Sequence, residues 1–288
     1  MDLAIYIRNH PDHEEEIDAA LAAGFKVVTS RCDVEPGDLV IPRYSVLPYP
    51  KELEVDVRKR GGRLINTTAQ HLEMADIVAM AQRLRPFTPE TYTTWAHLRG
   101  GPWVVKGRTN SRKHQWNRLM FCESHEDIPR VVGALLDDPL LAEQGIVVRE
   151  YVPLREFGKG LNGLPITNEW RIFLYKGQIV ARGYYWSSHP EFEWLGVDHS
   201  TLVRVPHAQR WEGAAPMPHE AVALALTAST LVGDAFMAID VAEKRSGGWT
   251  VVEVNDGCMS GLSMIVPEQF YKNLRTILQA DAEKKRSR

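Results

Sequence analysis

Apolar and polar positions along this chain follow two periods, and the period changes at recognisable boundaries. Short apolar runs at 3–8, 26–30, 38–42 and 63–67 read as strands, being brief and bounded by turn residues. Between them, 12–23, 50–60 and 68–85 carry the spacing of amphipathic helices. Pro11 and Asp12 start the first helix and Gly24 stops it. Gly61 and Gly62 close the second, and Pro86 closes the third. Strands alternating with helices predict a small parallel α/β layer over 1–86. No GxGxxG follows the first strand, so a dinucleotide site has no support there.

The pattern then changes. Two prolines mark a linker at 85–95, and strands are expected at 102–108 and 118–124 around a polar loop at 109–117. A helix over 125–139 and a strand at 145–152 follow. A polar, glycine-rich stretch covers 154–168. Residues 168–186 read as a hairpin turning at Lys176 and Gly177, and 218–233 as an amphipathic helix. A second hairpin, 235–256, turns at Gly247 and Gly248, and a last helix starts near Pro267. There is no internal repeat and no low-complexity segment.

Composition narrows the class without naming a function. With 288 residues, 44% hydrophobic and 25% charged, the chain has the balance of a soluble globular protein of two or three subdomains. A net charge of −3 offers no bulk attraction to nucleic acid or membrane. Cys32, Cys122 and Cys258 show neither zinc nor disulfide spacing, which fits a reducing cytoplasm. No signal peptide and no run of membrane-spanning length is read. The basic end, 284–288, reads as a solvated tail, and WSSHPEFEW at 186–194 as native sequence despite its likeness to a purification tag. His189, His199, His207 and His219 lack partner spacing and read as surface or packing residues. GxSxG, HExxH and P-loop motifs are absent.

The chemistry concentrates in the strands. AFMAIDVAEK carries Asp240, and WTVVEVNDG carries Glu253 and Asn255 two apart, hence on one face. Three oxygen-bearing side chains on an apolar hairpin are costly to bury unless they bind something, and carboxylates with an amide oxygen suit Mg2+. Lys106 ends an apolar strand that enters a loop made positive by Arg108, Arg112 and Lys113, a pattern suited to phosphate. Glu150 stands at the polar end of VVREYV. Counted from the Lys176–Gly177 turn, Arg171 and Arg182 sit at facing positions, as a pair of guanidinium groups gripping an anion would. Cys258 reads as a small packing residue.

In this order, Lys106 in PWVVKGR, Glu150 in VVREYV, Arg171 in NEWRIFLYKGQIVARGYY, Asp240 in AFMAIDV and Glu253/Asn255 in VVEVND resemble the ATP-grasp superfamily. The details are most similar to a phage-associated clade named for an arginine and two lysines. The loop TNSRKHQWN lacks the glycines many members have there. The resemblance implies an α/β fold with a pre-ATP-grasp domain at 1–86, an ATP-grasp N-lobe at 87–149, and a C-lobe with its terminal helix and basic tail at 150–288. It implies ATP and Mg2+ as cofactors, and ligation of a carboxylate donor to an amine acceptor through an acyl phosphate. Lys106 and Lys113 would hold phosphates. The backbone of Tyr151 and Val152 would read adenine beside Glu150, and Glu156 would reach ribose. Arg171 and Arg182 would stabilise the transferring phosphoryl group, and Asp240, Glu253 and Asn255 would hold Mg2+. The loop at 257–263 would help shape the acceptor site. A nucleotidyl transferase would need a KxDG context that KGRT does not supply. A non-catalytic ATP-binding module and a small-molecule kinase of the same fold remain as alternatives.

Overall fold

The computed structural model describes residues 2–43, 50–109, 111–186 and 217–287. His189, His199, His207 and most of the 186–194 run lie outside the described residues.

The first layer is parallel, as the alternation of strand and helix predicts. Strands β1 (Leu3–Tyr6), β2 (Lys26–Val28), β3 (Leu39–Pro42) and β4 (Arg63–Leu64) pair in the order β2-β1-β3-β4. Helix α1 (Glu14–Ala22) opens on three glutamates, which suit the positive end of a helix, and yields at Gly24 with φ +83°. Helix α2 (Pro50–Lys59) buries Leu53 and Val57 against Ala4, Val28 and Val40.

The expected single helix at 68–85 is two: α3 (Thr68–Ala75) and α4 (Ile77–Arg83). Asp76 between them is extended (φ −82°, ψ 102°), and its side chain accepts from the amide of Val78. An Asp competes with the helix by capping a new one, which apolar periodicity does not reveal.

The next sheet is antiparallel. It orders β5 (Thr91–Tyr92), β6 (Trp103–Gly107), β7 (Phe121–Cys122) and β8 (Ile146–Glu150) as β5-β8-β6-β7. The expected strand at 118–124 shrinks to β7, because Trp116–Met120 forms a π-helical turn. The expected helix at 125–139 is α5 (Ile128–Leu136) followed by α6 (Pro139–Gln144), begun by Asp138 and Pro139. α5 covers one face of the sheet with Ile128, Val131 and Leu135. The other face carries Lys106 and Arg149, since Lys106 pairs with Val147 and Val104 with Arg149.

The stretch at 154–168 hides a small hairpin, β9 (Glu156–Lys159) with β10 (Pro165–Thr167). The largest sheet follows: β11 (Glu169–Tyr175), β12 (Gln178–Tyr184), β13 (Phe236–Glu243) and β14 (Trp249–Asp256), ordered β12-β11-β13-β14. Its first turn has φ 49° at Lys176 and 72° at Gly177, the pair of left-handed residues a two-residue hairpin favours. Helix α7 (His219–Val232) packs Ala221, Ala225 and Ala228 against the Trp170–Ile172–Ile239 face, joined by Met80 and Leu84 of α4. Helix α8 (Pro267–Arg286) sets Phe270, Tyr271, Leu274 and Leu278 between the opposite face and the first layer. Arg43, fully buried, bonds Glu16 at 3.2 Å and the Gly257 carbonyl at 2.7 Å, joining the same two units. The Asp256 carboxylate accepts from Asn66 at 2.7 Å and lies 3.0 Å from His71 Nδ1. Among the described residues, no helix is long and apolar enough to cross a membrane.

Candidate functional site

Both antiparallel sheets turn a charged face toward a shared cleft. Register builds one side of it: Arg171 pairs with Asp240, and Asp240 with Glu253, across β11, β13 and β14. Residues directly opposite share a face, so three charges line up on neighbouring strands. β14 then bulges, because Asp240 pairs with Glu253 while Val241 pairs with Val251, leaving Val252 unmatched.

Arg171 and Asp240 make a bidentate pair with two bonds of 2.8 Å. A third bond, 2.9 Å, runs from Arg171 to the carbonyl of Gly261 in the 257–263 loop. Lys106 reaches across the cleft to Glu253 at 2.7 Å. Burial lowers the Lys106 ammonium despite Glu253. At Glu253 burial works the other way, but Lys106 and Lys113 outweigh it and hold the carboxylate well below the ordinary range. Two cations converge on one carboxylate, so the Glu253 direction is the firmer of the two.

Lys113 stands on the segment after the polar loop. Its Nζ donates to the Tyr185 hydroxyl at 2.9 Å and lies 4.8 Å from the ring centre. The guanidinium of Arg171 lies 4.7 Å from the same ring. One aromatic side chain therefore separates two cations, as the negative face of a π system allows.

A cavity of about 130 Å³ opens between the sheets. Its inner end is cationic, with Lys106, Lys113 and Arg149, and its outer end is apolar, with Trp116, Met120 and Val152. Trp116 and Phe121 stack at 6.1 Å, and Tyr151 meets Phe121 edge-on at 5.1 Å. Glu150, Tyr151 and Val152 line this outer wall. The Glu150 amide donates to Glu90 and that of Tyr151 to Pro102 at 3.3 Å. Glu156 is exposed on β9, away from the cavity wall.

Arg182 is a correction. Counting from the turn would set it opposite Arg171, but β12 bulges at Val180, where Leu174 pairs with Ile179 and Phe173 with Ala181. Past the bulge Arg171 meets Gly183 and Arg182 meets Ile172. A one-residue slip exchanges the faces, so the two arginines point to opposite sides of the sheet.

Asp240 also stands differently from the expected cation ligand. It has no exposed surface, and both its oxygens are held by Arg171. Among the described residues no three histidine, cysteine or acidic side chains gather in a metal-holding cluster. Glu253 and Asn255, adjacent on the cleft side of β14, fit Mg2+ by donor chemistry, offering carboxylate and amide oxygens.

Sequence reasoning passed over two residues of the cleft. Glu169 is 3% exposed, and its Oε1 has no hydrogen-bond partner. Burial, with Lys113 opposing and Asp240 adding, pushes its carboxyl up to about 7. Arg149 is 7% exposed with Nε unpartnered, and burial lowers it to about 10. Each is a lone charge in an otherwise apolar strand, and Glu169 shares the face of Arg171 by its spacing of two.

Comparison with known proteins agrees with this geometry. A family model described as an ATP-grasp domain, family 3 of its clade, matches residues 95–274, more than half of the chain. Among solved structures, D-cycloserine synthetase DcsG superposes with a TM-score of 0.61 at 13% identity, covering 96% of this chain and 100% of that one. D-alanine–D-alanine ligase from Bacillus anthracis, complexed with ATP, gives 0.59 at 13% identity, covering 100% and 99%. A RimK domain ATP-grasp protein from Sphaerobacter thermophilus gives 0.56 at 15% identity, covering 95% and 99%. No curated protein matches the sequence. At these identities the likeness is one of fold.

Proposed function

Because this chain belongs to the ATP-grasp domain family whose model it matches, we propose that it is an ATP-dependent ligase that joins a carboxylate to an amine or similar nucleophile. The observation that carries the reading is the Lys106–Glu253 pair at the inner end of a cavity with an apolar outer end. A nucleoside triphosphate has that polarity: a flat base at one end and three phosphates at the other. Lys106 and Lys113 hold phosphates as point charges. Trp116 and Val152 flank the base, with the backbone near Tyr151 and Val152 reading its edge and Glu150 beside it. Glu156 serves ribose only if the β9–β10 hairpin moves inward.

In the proposed reaction a substrate carboxylate oxygen attacks the γ-phosphorus and ADP leaves. The nucleophile then attacks the acyl carbon, phosphate departs, and the amine gives up a proton. Arg171 stabilises the negative charge that develops on the phosphoryl oxygens. Glu253 and Asn255 are the residues that would hold Mg2+, which when bound offsets phosphate charge. Asp240 joins them only by exchanging its bonds to Arg171. Arg182, on the far face, has no part in this arrangement. The structural relatives named for D-cycloserine and D-alanine–D-alanine synthesis support small amino-acid-like substrates, with peptides next. A cytoplasmic location and a phage association belong to the same proposal.

The test is ATP turnover with Mg2+ and pools of amino acids and peptides, separating ADP from AMP, beside Glu253→Gln. ADP and phosphate that depend on an added carboxylate and amine, and vanish in the variant, support the ligase. ADP with a phosphorylated product and no amine requirement points to a kinase. AMP with pyrophosphate overturns the acyl-phosphate route.

A further inference from the structure

The bulge at Val252 turns one backbone carbonyl of β14 out of its pairing with β13, immediately before Glu253. That carbonyl accepts from Arg149 Nη1 at 2.9 Å, from the opposite sheet. Nη2 of the same guanidinium donates to Thr88 Oγ1 at 2.8 Å, and the Thr88 hydroxyl donates to the carbonyl of Val251 at 2.9 Å. Three chain segments, the linker at Thr88, β8 and β14, are thus tied at the two residues that precede Glu253. A buried arginine is expensive without partners, and this one spends both terminal nitrogens on an irregular stretch of strand. Bulges are a means of re-aiming a side chain, and here the re-aimed one is Glu253, pointed at Lys106.

We propose that Arg149 is a positioning residue, which holds the Val252 bulge from across the cleft so that Glu253 keeps its place against Lys106 and its cation. This rests on the nucleotide-site reading above. It also gives lobe closure a chemical consequence. The carboxylate is correctly aimed only while β8 and β14 are in contact, so cleft closure and assembly of the phosphate site are one event.

The experiment uses the intact chain and a non-hydrolysable ATP analogue, with binding followed calorimetrically over a series of Mg2+ concentrations. Arg149→Lys keeps the charge but not the two-pronged reach, and Thr88→Val removes one prong without altering any charge. Both are compared with Glu253→Gln and with the Arg149→Lys/Glu253→Gln double variant, and melting temperatures are recorded for all. The Mg2+ concentration for half-maximal binding is expected to rise about tenfold or more in Arg149→Lys, as for loss of a group that orients a metal ligand. A smaller rise is expected in Thr88→Val. In the Glu253→Gln background Arg149→Lys should add nothing, because its effect runs through that carboxylate. Equal losses in both backgrounds, or a lowered melting temperature with an unmoved Mg2+ midpoint, overturn the proposal. A wild-type protein that binds no analogue at any Mg2+ concentration overturns the nucleotide-site reading, and this inference with it.

Discussion

Arg171 and Asp240 face each other in register on adjacent strands and share two hydrogen bonds of 2.8 Å, with Asp240 wholly buried. Breaking such a pair from one side leaves an uncompensated charge in the interior. Arg171→Met should therefore destabilise the protein by about 3–5 kcal/mol. Replacing both partners by apolar residues of similar size should recover much of that loss. Chemical denaturation of the single and double variants measures both, and equal losses in the two would refute the pairing argument.

Glu169 gives stability a pH dependence opposite to that of an ordinary carboxylate. Its carboxyl is pushed from 4.5 up to about 7, so between those values the native state binds more protons than the unfolded chain. Its contribution is full below about pH 4.5 and fades as pH rises through about 7. Relative to Glu169→Gln, the wild type should lose on the order of 3 kcal/mol between pH 5 and pH 8. Glu253, held low by two lysines, has the opposite slope, but its loss falls below pH 4.5 and outside this interval. Parallel stability curves for wild type and variant would mean that Glu169 is already ionised at pH 5.

Lys106→Met should lower ATP turnover about a hundredfold or more, as removal of a preorganised charge at a transferring phosphoryl group does. Lys106→Arg should recover little, because a planar fork does not replace a point charge in the space beside Glu253. Steady-state rates with Mg·ATP decide this, and near-normal turnover in Lys106→Met would place the phosphates elsewhere.

Trp116 lies on the outer wall of the cavity and stacks on Phe121. If the base sits there, Trp116→Leu should weaken ATP binding about tenfold, a single base-stacking contact. The nucleotide-induced change in tryptophan fluorescence should vanish with it. A fluorescence change that persists in the variant would assign the signal to another tryptophan.

Gly183, opposite Arg171, lies under the segment that leads into α8. A Cβ there would come within 2.8 Å of Ile265 Cγ1 and 3.0 Å of its backbone nitrogen. Gly183→Ala should destabilise by about 1–3 kcal/mol, the range for an overpacked core. Thermal unfolding reads it, and an unchanged melting point would show that the 262–266 segment yields freely.

Much of this molecule was readable from the chain. The parallel layer follows from short apolar runs between amphipathic helices, and the pairing of Glu253 with Asn255 on one face follows from their spacing. Lys106 stands out because it ends an apolar strand at a basic loop. What escaped was local irregularity. The bulge at Val180 carries Arg182 to the wrong face, and no hydrophobic pattern announces a slip of one residue. Asp76 splits a helix whose apolar spacing continues on either side. Leu119, Met120 and Phe121 suit a strand as well as the π-helical turn that most of them join. Arg149 and Glu169 went unnoticed because one charge in an apolar strand resembles an ordinary edge position until its burial is known.

The two helices around Asp76 also bear on how the chain can be divided. Met74 of α3, with Met80 and Leu84 of α4, packs into the core beneath the largest sheet, beside residues more than a hundred positions away. Asp76 meanwhile binds Arg108, at the start of the loop after β6. A fragment beginning at residue 87 would lose part of its own interior and the anchor of that loop. The first 86 residues are therefore no interchangeable cassette. A chimera that swaps only the parallel layer must keep 68–86 with the catalytic lobes, and recombination between relatives should leave its junctions before Thr68 rather than after Arg85.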